Sequence, residues 1–313
     1  MRGRQEALRR LCAFSSGDEP LAPFTTYKVG GPAAVFASPR NDDELRLIGE
    51  VVRDTELPTL VVGRGSNLLV ADAGFDGIVI SLASMADWIE FHETVVHAGA
   101  AVALPVLARR CVAAGLVGFE WAVGVPGSIG GAVRMNAGGH GSDMAASLIG
   151  VHVLDLHTAR QGWVPVAALA LSFRGSKLAD HQVVLDAHLQ LAHGNAEEAE
   201  ATLAEIVHWR REHQPGGQNA GSVFVNPIPG ELPAAVLIDE LGFRGFRIGG
   251  AYVSEKHANF IQAGEGATAA DVRAVMEHVR VAVLEHTGFA LRSEVTLVGF
   301  GDVPTVLQLG VEI

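Results

Sequence analysis

The chain has 313 residues, of which 49% are hydrophobic and 19% are charged, and this composition excludes an intrinsically disordered protein. Its 35 acidic residues against 23 lysines and arginines give a net charge of −12, which argues against a protein that binds nucleic acid or a membrane through a basic face. Its two cysteines, Cys12 and Cys111, predict no disulfide framework and a reducing, cytoplasmic compartment. The cysteines and the thirteen histidines show no metal-ligand spacing, so the sequence predicts no metal site.

The beginning of the chain predicts neither a secretory signal nor a membrane anchor. Residues Met1–Glu6 lead into a mixed amphipathic stretch that lacks the apolar segment of a signal peptide. Elsewhere no apolar run is long enough to cross a bilayer.

Residues 20–83 read as a first lobe of alternating helices and strands. Asn41 and Glu44 have the spacing of a capping box, and apolar residues follow at helical intervals. Short apolar runs then predict strands at Leu60–Val62, Leu68–Val70 and Ile78–Ile80. A second lobe, residues 84–194, shows a helical pattern from Leu104 to Val112 and apolar strands at Val151–Leu156 and Val183–Leu191.

Residues 195–313 form the third predicted unit. Asn195 and Glu198 again have capping-box spacing and begin a helix that runs through Trp209. Thr268 and Asp271 repeat the signal before a helix that stops at Gly288, and Glu294–Val298 predicts a final strand. The whole chain therefore predicts an α+β protein of three lobes.

Two glycine-rich loops are the first functional signal. Gly63–Asn67 follows an apolar strand, and Gly124–Gly131 has four glycines in eight residues. Glycine lets successive backbone N–H groups face one anion, so both loops could hold a phosphorylated ligand, although both could also be structural turns. A strand follows the first loop and no clean strand precedes the second, which argues against a Rossmann site.

An ordered series of motifs resembles the UDP-N-acetylenolpyruvoylglucosamine reductase (MurB) family. It spans residues 24 to 300 and includes both glycine loops. The other motifs are Tyr27–Ala33, Val133–Gly138, Phe173–Ser176, Ala220–Pro227, Val253–Phe260 and Leu291–Val295.

The resemblance implies a fold and a reaction. The first two lobes would form an FAD-binding domain of the vanillyl-alcohol-oxidase (PCMH) type, and the third would be an α+β substrate domain. NADPH would reduce a non-covalently bound FAD, and a hydride would then pass to C3 of the enolpyruvyl group of UDP-N-acetylglucosamine enolpyruvate. A proton at C2 would complete UDP-N-acetylmuramate, a peptidoglycan precursor. We expect a monomer that binds no nucleic acid and no membrane.

The resemblance also implies site residues. The cofactor would be held by the glycine motifs, at Gly30, Gly31, Gly63, Arg64, Gly65, Ser66, Asn67, Gly124, Gly127, Ser128, Gly130, Gly131, Asn136, Ala137 and Gly138. Arg174 would bind the substrate carboxylate, Ser222 would donate the proton to C2, and Glu294 would help to stabilise the enol. Taken alone, each of the three is an ordinary surface, turn or strand residue.

The remaining candidates concern the substrate. Asn226 matches a position that contacts the UDP-sugar, and His257 lies in a motif that borders the pocket, although it could equally cap a loop. Arg211 and His213 could meet the diphosphate or be solvated charges. Phe173 stands where many relatives have tyrosine.

The spacing of the motifs indicates the subtype. Residues 175–221 contain no tyrosine and leave no room for the extra loop that covers the UDP group in some relatives. We therefore expect the shorter, type II form.

Two other functions fit the glycine loops. A sugar or alcohol oxidase with the same type of FAD domain would often tether its flavin through histidine or cysteine, and neither residue occurs in the two loops. A non-catalytic nucleotide-binding protein would have no reason to carry Arg174, Ser222 and Glu294 in matching contexts.

Overall fold

The computed structural model describes residues 2–301, and its helices largely follow the predicted ones. They are α1 (Arg2–Arg10), α2 (Asp42–Thr55), α3 (Leu104–Ala113), α4 (Ile129–Met135), α5 (Val166–Leu169), α6 (Ala196–His213), α7 (Ala234–Glu240) and α8 (Ala269–Thr287).

The strands fall into groups along the chain. The first group is β1 (Ser15–Pro20), β2 (Pro32–Ala37), β3 (Thr59–Val62), β4 (Leu68–Val70) and β5 (Phe75–Ser81), and β1 begins before residue 20, the predicted start of the first lobe. Those of the second are β6 (Ile89–His92), β7 (Val95–Gly99), β8 (Leu116–Val117), β9 (Gly138–Gly139), β10 (Ser142–Asp143), β11 (Leu148–Asp155), β12 (Arg160–Pro165), β13 (Gln182–Gln190) and β14 (Ala192–His193). The last are β15 (Arg247–Ile248), β16 (Ala251–Val253), β17 (Ile261–Ala263) and β18 (Thr296–Val298).

Each predicted lobe contains the greater part of one sheet. The first has the order β1-β2-β5-β3, in which β2, β5 and β3 are parallel and β1 is antiparallel to β2. The second is an antiparallel sheet of order β12-β11-β13-β7-β6. A small antiparallel sheet of order β15-β16-β17 lies in the third.

The hydrophobic cores do not follow the predicted lobes one by one. One core joins the first two lobes, from Ile78 on β5 to Val151 on β11, and it includes Leu203 and Ile206 of α6. The chain after α6 has a second core, built around α8, which also takes in Tyr27 and Leu69 from the first lobe. Helix α6 is therefore packed on the second lobe. The division at residue 195 stays a prediction, and its far end at 313 lies outside the described residues.

The helix ends show what the capping spacing did and did not predict. The side chains of Asn41 and Asn195 both accept hydrogen bonds from backbone N–H groups of the first turn. The reciprocal capping box forms at α8, between Thr268 and Asp271, and α8 ends at Gly288 in the left-handed conformation, as predicted. Helix α6 continues four residues beyond Trp209.

The final strand returns to the first lobe. It is shorter than predicted, and its backbone pairs in parallel with β4, with Thr296 beside Leu68 and Val298 beside Val70. This pairing anchors the third lobe beside the first glycine loop, because β4 follows that loop directly.

The pair Gly30 and Gly31 makes a close backbone contact within the protein. Gly30 has φ +116°, and a Cβ on Gly31 would lie 2.1 Å from the carbonyl oxygen of Asp72. The Gly31 N–H donates to the carbonyl of Ala71 at 2.8 Å. The fold itself thus requires these glycines, whatever their contact with a cofactor.

Replacing Gly31 with alanine is therefore expected to destabilise the protein by about 1–3 kcal/mol, as over-packing does. Urea denaturation would measure the change in the free energy of unfolding. Gly162→Ala is the matched control, because a Cβ there meets no atom within 4 Å. Equal stability of the two variants would contradict the close contact.

Candidate active site

The two glycine loops begin 61 positions apart in the sequence, at Gly63 and Gly124, and they meet in space. A Cβ on Gly63 would lie 2.2 Å from Ser128 Oγ, and a Cβ on Gly127 would lie 3.6 Å from Ser66 Oγ. Arg64 is exposed beside them, and Ser128 is buried at the start of α4. The loops therefore form one continuous surface.

Several glycines of this surface are explained by packing. Gly65 has φ +56°, and its Cβ would lie 2.2 Å from the carbonyl oxygen of Phe24, while Gly124 is packed against Ile206 and His140. The Gly130 N–H donates to the carbonyl of Ala100 at 2.9 Å. These glycines serve packing and hydrogen bonding within the protein. Fewer backbone N–H groups are therefore available to a ligand than the number of glycines suggests.

Gly127 and Gly131 are different. Neither has a left-handed φ, and a Cβ on either would meet its nearest neighbour at 3.4–3.5 Å, an ordinary contact. The protein does not need glycine at these two positions for its own packing. A ligand that approaches the backbone here would need it, because a side chain would then fill the ligand's place.

Asn136 connects the second glycine loop to the segment that carries Arg174. This buried residue adopts the left-handed conformation at the end of α4. Its amide donates to Asp143 Oδ2 at 3.0 Å and to the carbonyl of Ser172 at 3.2 Å, and its oxygen accepts from the Ala145 N–H at 3.0 Å. The side chain is thus occupied in holding the protein together, and cofactor contact by Asn136 and Ala137 stays a prediction.

Arg174 and Glu294, 120 positions apart, form an ion pair beside this loop. Arg174 Nε donates to Glu294 Oε1, and Arg174 Nη1 lies 3.4 Å from the carbonyl oxygen of Gly138. The side chains are 31% and 14% exposed, so water reaches the guanidinium more than the carboxylate. The ring of Phe173, which is exposed, lies 5.1 Å from the guanidinium carbon.

Ser222 lies next to this pair through backbone pairing. Phe224 forms a β-bridge with Ser293, and the Glu294 N–H donates to the carbonyl of Val223 at 2.8 Å. Ser222 follows Gly221, which has φ +77°, and its side chain is half-buried. Ser222 is thus one residue from the backbone bond that positions Glu294.

Asn67 joins the first glycine loop to the same place. Its amide donates to the carbonyl of Glu294 at 2.9 Å, and its own carbonyl accepts from the Thr296 N–H at 2.9 Å. The structure therefore brings Arg174, Glu294 and the Ser222 segment to the edge of both glycine loops. The individual roles of these residues stay predictions.

Asn259 is a positioning residue that the sequence reading did not single out. It is 4% exposed, and its side chain holds both backbone groups of Phe224, accepting from N–H at 2.9 Å and donating to the carbonyl at 2.8 Å. Its carbonyl accepts from the Val223 N–H at 2.9 Å. The only sequence signal was its place inside the Val253–Phe260 motif.

His257 supports the same turn. Its Nδ1 accepts from the Asn259 N–H at 3.2 Å, its ring lies edge-on to Phe260 at 4.7 Å, and Ser254 Oγ accepts from its N–H at 3.4 Å. Burial, followed by the charge of Arg244, lowers the pKa of His257. The capping role is thus present, and substrate contact by His257 stays a prediction.

The stability of the protein should depend on the charge of His257. Because its pKa in the folded protein lies below the ordinary 6.5, the unfolded chain takes up a proton first as the pH falls. The contribution of His257 is therefore present above pH 6.5 and is lost as the pH falls through the lower, folded pKa. His257→Asn keeps a hydrogen-bond acceptor for the Asn259 N–H but cannot take up a proton. Urea denaturation between about pH 8 and about pH 5 should therefore show a smaller decrease in the free energy of unfolding in this variant than in the parent.

The exposed His193 provides the control for this prediction. His193→Asn should change the pH dependence less than His257→Asn does, and equal slopes in the two variants would contradict the prediction.

The other predicted substrate residues lie on the third lobe and at the end of α6. Asn226 is exposed, and its oxygen accepts from the Ala234 N–H, the first of α7, at 3.0 Å. The carbonyl of Arg211 accepts from Lys256 Nζ, and the His213 ring stacks on Trp209 at 4.6 Å. The ligand contacts of Asn226, Arg211 and His213 stay predictions.

Comparison with known proteins defines the class first. Residues 32–160 match the model of an FAD-binding domain, and residues 213–298 match the C-terminal domain of UDP-N-acetylenolpyruvoylglucosamine reductase. With the geometry above, these matches define a flavin-dependent oxidoreductase of α+β fold. In the part of the chain that the structure describes, no helix has the length and apolar character needed to span a membrane.

The relatives then define the family. The chain is 44% identical over 283 residues to a UDP-N-acetylenolpyruvoylglucosamine reductase of Heliobacterium modesticaldum, and the aligned region covers 90% of each chain. It is 38% identical to that of Bacillus subtilis, over 94% of this chain and 97% of the relative. The crystal structure of the reductase (MurB) from Thermus caldophilus superimposes with a TM-score of 0.76 at 32% identity, over 91% of this chain and 98% of that one.

This chain belongs to the UDP-N-acetylenolpyruvoylglucosamine reductase family. The predicted family, fold class and type of enzyme are therefore confirmed.

Proposed function

We propose that this protein reduces UDP-N-acetylglucosamine enolpyruvate to UDP-N-acetylmuramate with electrons from NADPH and a non-covalently bound FAD. The observation that carries the proposal is the meeting of Arg174, Glu294 and the Ser222 segment at the edge of two glycine-rich loops. Membership of a family whose members are named for this reaction supports it.

The flavin site fits residues that the fold leaves available. Gly127 and Gly131 have room for a side chain and no conformational need for glycine, which is the pattern expected where a ligand lies against the backbone. Gly63, Arg64 and Ser66 face the same surface and would hold the pyrophosphate beside them. When bound, FAD supplies the chemistry of accepting a hydride from NADPH and delivering it to the substrate.

Arg174 would bind the substrate carboxylate. Hydride addition at C3 of the enolpyruvyl group builds negative charge on the conjugated carboxylate, and a guanidinium fork suits that group. Glu294 holds the guanidinium from one side, and the Gly138 carbonyl lies on another. Arg174 is therefore oriented before the substrate arrives.

Ser222 would donate the proton to C2. The reaction consumes one hydride and one proton, converts the C2–C3 double bond to a single bond and leaves NADP⁺. Asn259 fixes the backbone after Ser222 through Val223 and Phe224, so the hydroxyl is presented from a rigid segment. Glu294 would stabilise the enol form from the segment that precedes β18.

Stopped-flow absorbance tests the proposal in two steps. NADPH should bleach the flavin under anaerobic conditions, and UDP-N-acetylglucosamine enolpyruvate should then restore its colour. Reduced flavin that ignores this sugar nucleotide would rule out the reductase function. Acid precipitation distinguishes the oxidase alternative, because a non-covalent flavin stays in the supernatant.

We further propose that the protein acts in the cytoplasm as a monomer of the type II form. The absence of tyrosine from 175–221 supports the subtype. The compartment follows from the nucleotide substrates, and light scattering of the purified protein would test the monomer.

A further inference from the structure

The outer face of the second sheet carries a band of histidines and carboxylates. On β13, the partly buried Asp186 and His188 alternate with the buried Leu185, Ala187 and Leu189. The side chains that alternate away from the core therefore point to one outer face.

Strand register gathers these side chains across four strands. His152 on β11 lies opposite Asp186, and His97 on β7 lies opposite His188. Trp163 on β12 lies opposite His152 on its other side. Directly opposed residues have close Cβ atoms, so the side chains of such a row are in contact.

Three donor atoms of this band converge. His152 Nδ1 is 2.9 Å from Asp186 Oδ1, and His188 Nε2 is 3.4 Å from the same oxygen. The three donor atoms lie within 4.8 Å of one another. Donors held tetrahedrally about 2.0–2.1 Å from one zinc ion are themselves about 3.3 Å apart, and the two distances to Asp186 Oδ1 are close to that value.

We propose that His152, Asp186 and His188 form a binding site for a divalent transition metal ion such as Zn²⁺ or Cu²⁺. Two imidazoles and one carboxylate are ligands that suit these ions and that Mg²⁺ and Ca²⁺ do not prefer. The site uses none of the residues of the candidate active site.

A second group of possible ligands lies nearby, and its surroundings suit metal binding less well than those of His152, Asp186 and His188. Glu90, His92 and His97 also converge, but the side chains of Glu90 and His92 are 62% and 56% exposed, whereas all three members of the proposed site are partly buried. The His97 ring stacks on His188 at 3.5 Å, and Trp163 lies 5.1 Å from His152. These rings limit the rotamers of both histidines, so less side-chain freedom is lost on binding.

A simple histidine–aspartate hydrogen bond is the competing explanation, and metal titration separates the two. Chelator-treated, FAD-loaded protein is titrated with Zn²⁺ against a chromogenic chelator. We expect one ion per chain, and at least about tenfold weaker binding in His188→Gln and in Asp186→Asn, since even the loss of a residue that hydrogen-bonds to a metal ligand costs about 10–100-fold. The exposed His193→Gln is the matched control and should bind as the parent does.

Electron paramagnetic resonance of the Cu²⁺ form identifies the ligands. Coupling to two nitrogens is expected in the parent and to one in His188→Gln or His152→Gln, so a variant that fails to fold leaves another to test. Parent protein that binds Zn²⁺ no better than Asp186→Asn would overturn the proposal. Binding that survives His188→Gln but is lost in His92→Gln would overturn it as well.

Discussion

Replacing Ser222 with alanine is expected to leave the reduction of FAD by NADPH nearly unchanged and to slow the oxidation of reduced flavin by the enolpyruvyl substrate about 10²–10⁴-fold. That is the usual loss when a positioned proton donor is removed. The structure supports an effect on the second half-reaction alone. Ser222 lies in the segment that pairs with the residues around Glu294, whereas the glycine loops that would hold FAD are separate from it and contact Glu294 through Asn67. Stopped-flow absorbance at the flavin band measures the two half-reactions separately.

Two comparisons make the Ser222 prediction strict. Ser84→Ala removes an exposed hydroxyl that contacts Ser38 at the surface, and it should leave both half-reactions unchanged. Equal slowing of the two half-reactions in Ser222→Ala would contradict a role in proton donation and would indicate a general disturbance of the site.

Replacing Arg174 with methionine is expected to slow the same half-reaction about 10²–10³-fold, the loss seen when one donor to a developing negative charge is removed. Substrate binding should weaken too, because the carboxylate loses its cation. Glu294, whose side chain is only 14% exposed, would also lose its ion-pair partner. Single-turnover oxidation of the reduced enzyme at several substrate concentrations would separate binding from chemistry.

Two further arginine variants test the reason given. Arg174→Lys keeps the positive charge but loses the planar guanidinium fork. Compared with Arg174→Met, it should restore substrate binding more than it restores the rate of flavin oxidation. Arg53→Met alters an exposed arginine on α2 and should have no effect. A methionine variant that oxidises its flavin at the parent rate would remove Arg174 from the chemistry.

The Arg174–Glu294 pair also links the lobes. Glu294 is held by the first lobe through Asn67 and by the third through Val223, while Arg174 belongs to the second lobe. One site therefore depends on three regions of the chain. Loss of any one contact would displace groups that must act together on one substrate.

The sequence by itself determined the local structure and the family. Helices such as α2 and α8 could be predicted because capping residues and apolar periodicity act within a few positions. The glycine loops and the motifs around Arg174, Ser222 and Glu294 were recognisable for the same reason, as each is a short contiguous pattern. Those motifs were enough to identify the reductase family before any fold was known.

Only the tertiary structure decided which of these residues meet and what they do for the fold. Three contacts join residues that are 35 to 228 positions apart. They are the pairing of β18 with β4, the ion pair of Arg174 with Glu294 and the hydrogen bonds of Asn259 to Phe224. No local signal specifies such contacts, because they depend on strand register and on how the lobes pack. The histidines of the second sheet show the same limit, since their spacing along the chain indicated no metal site, and the register of neighbouring strands brings three donor atoms together.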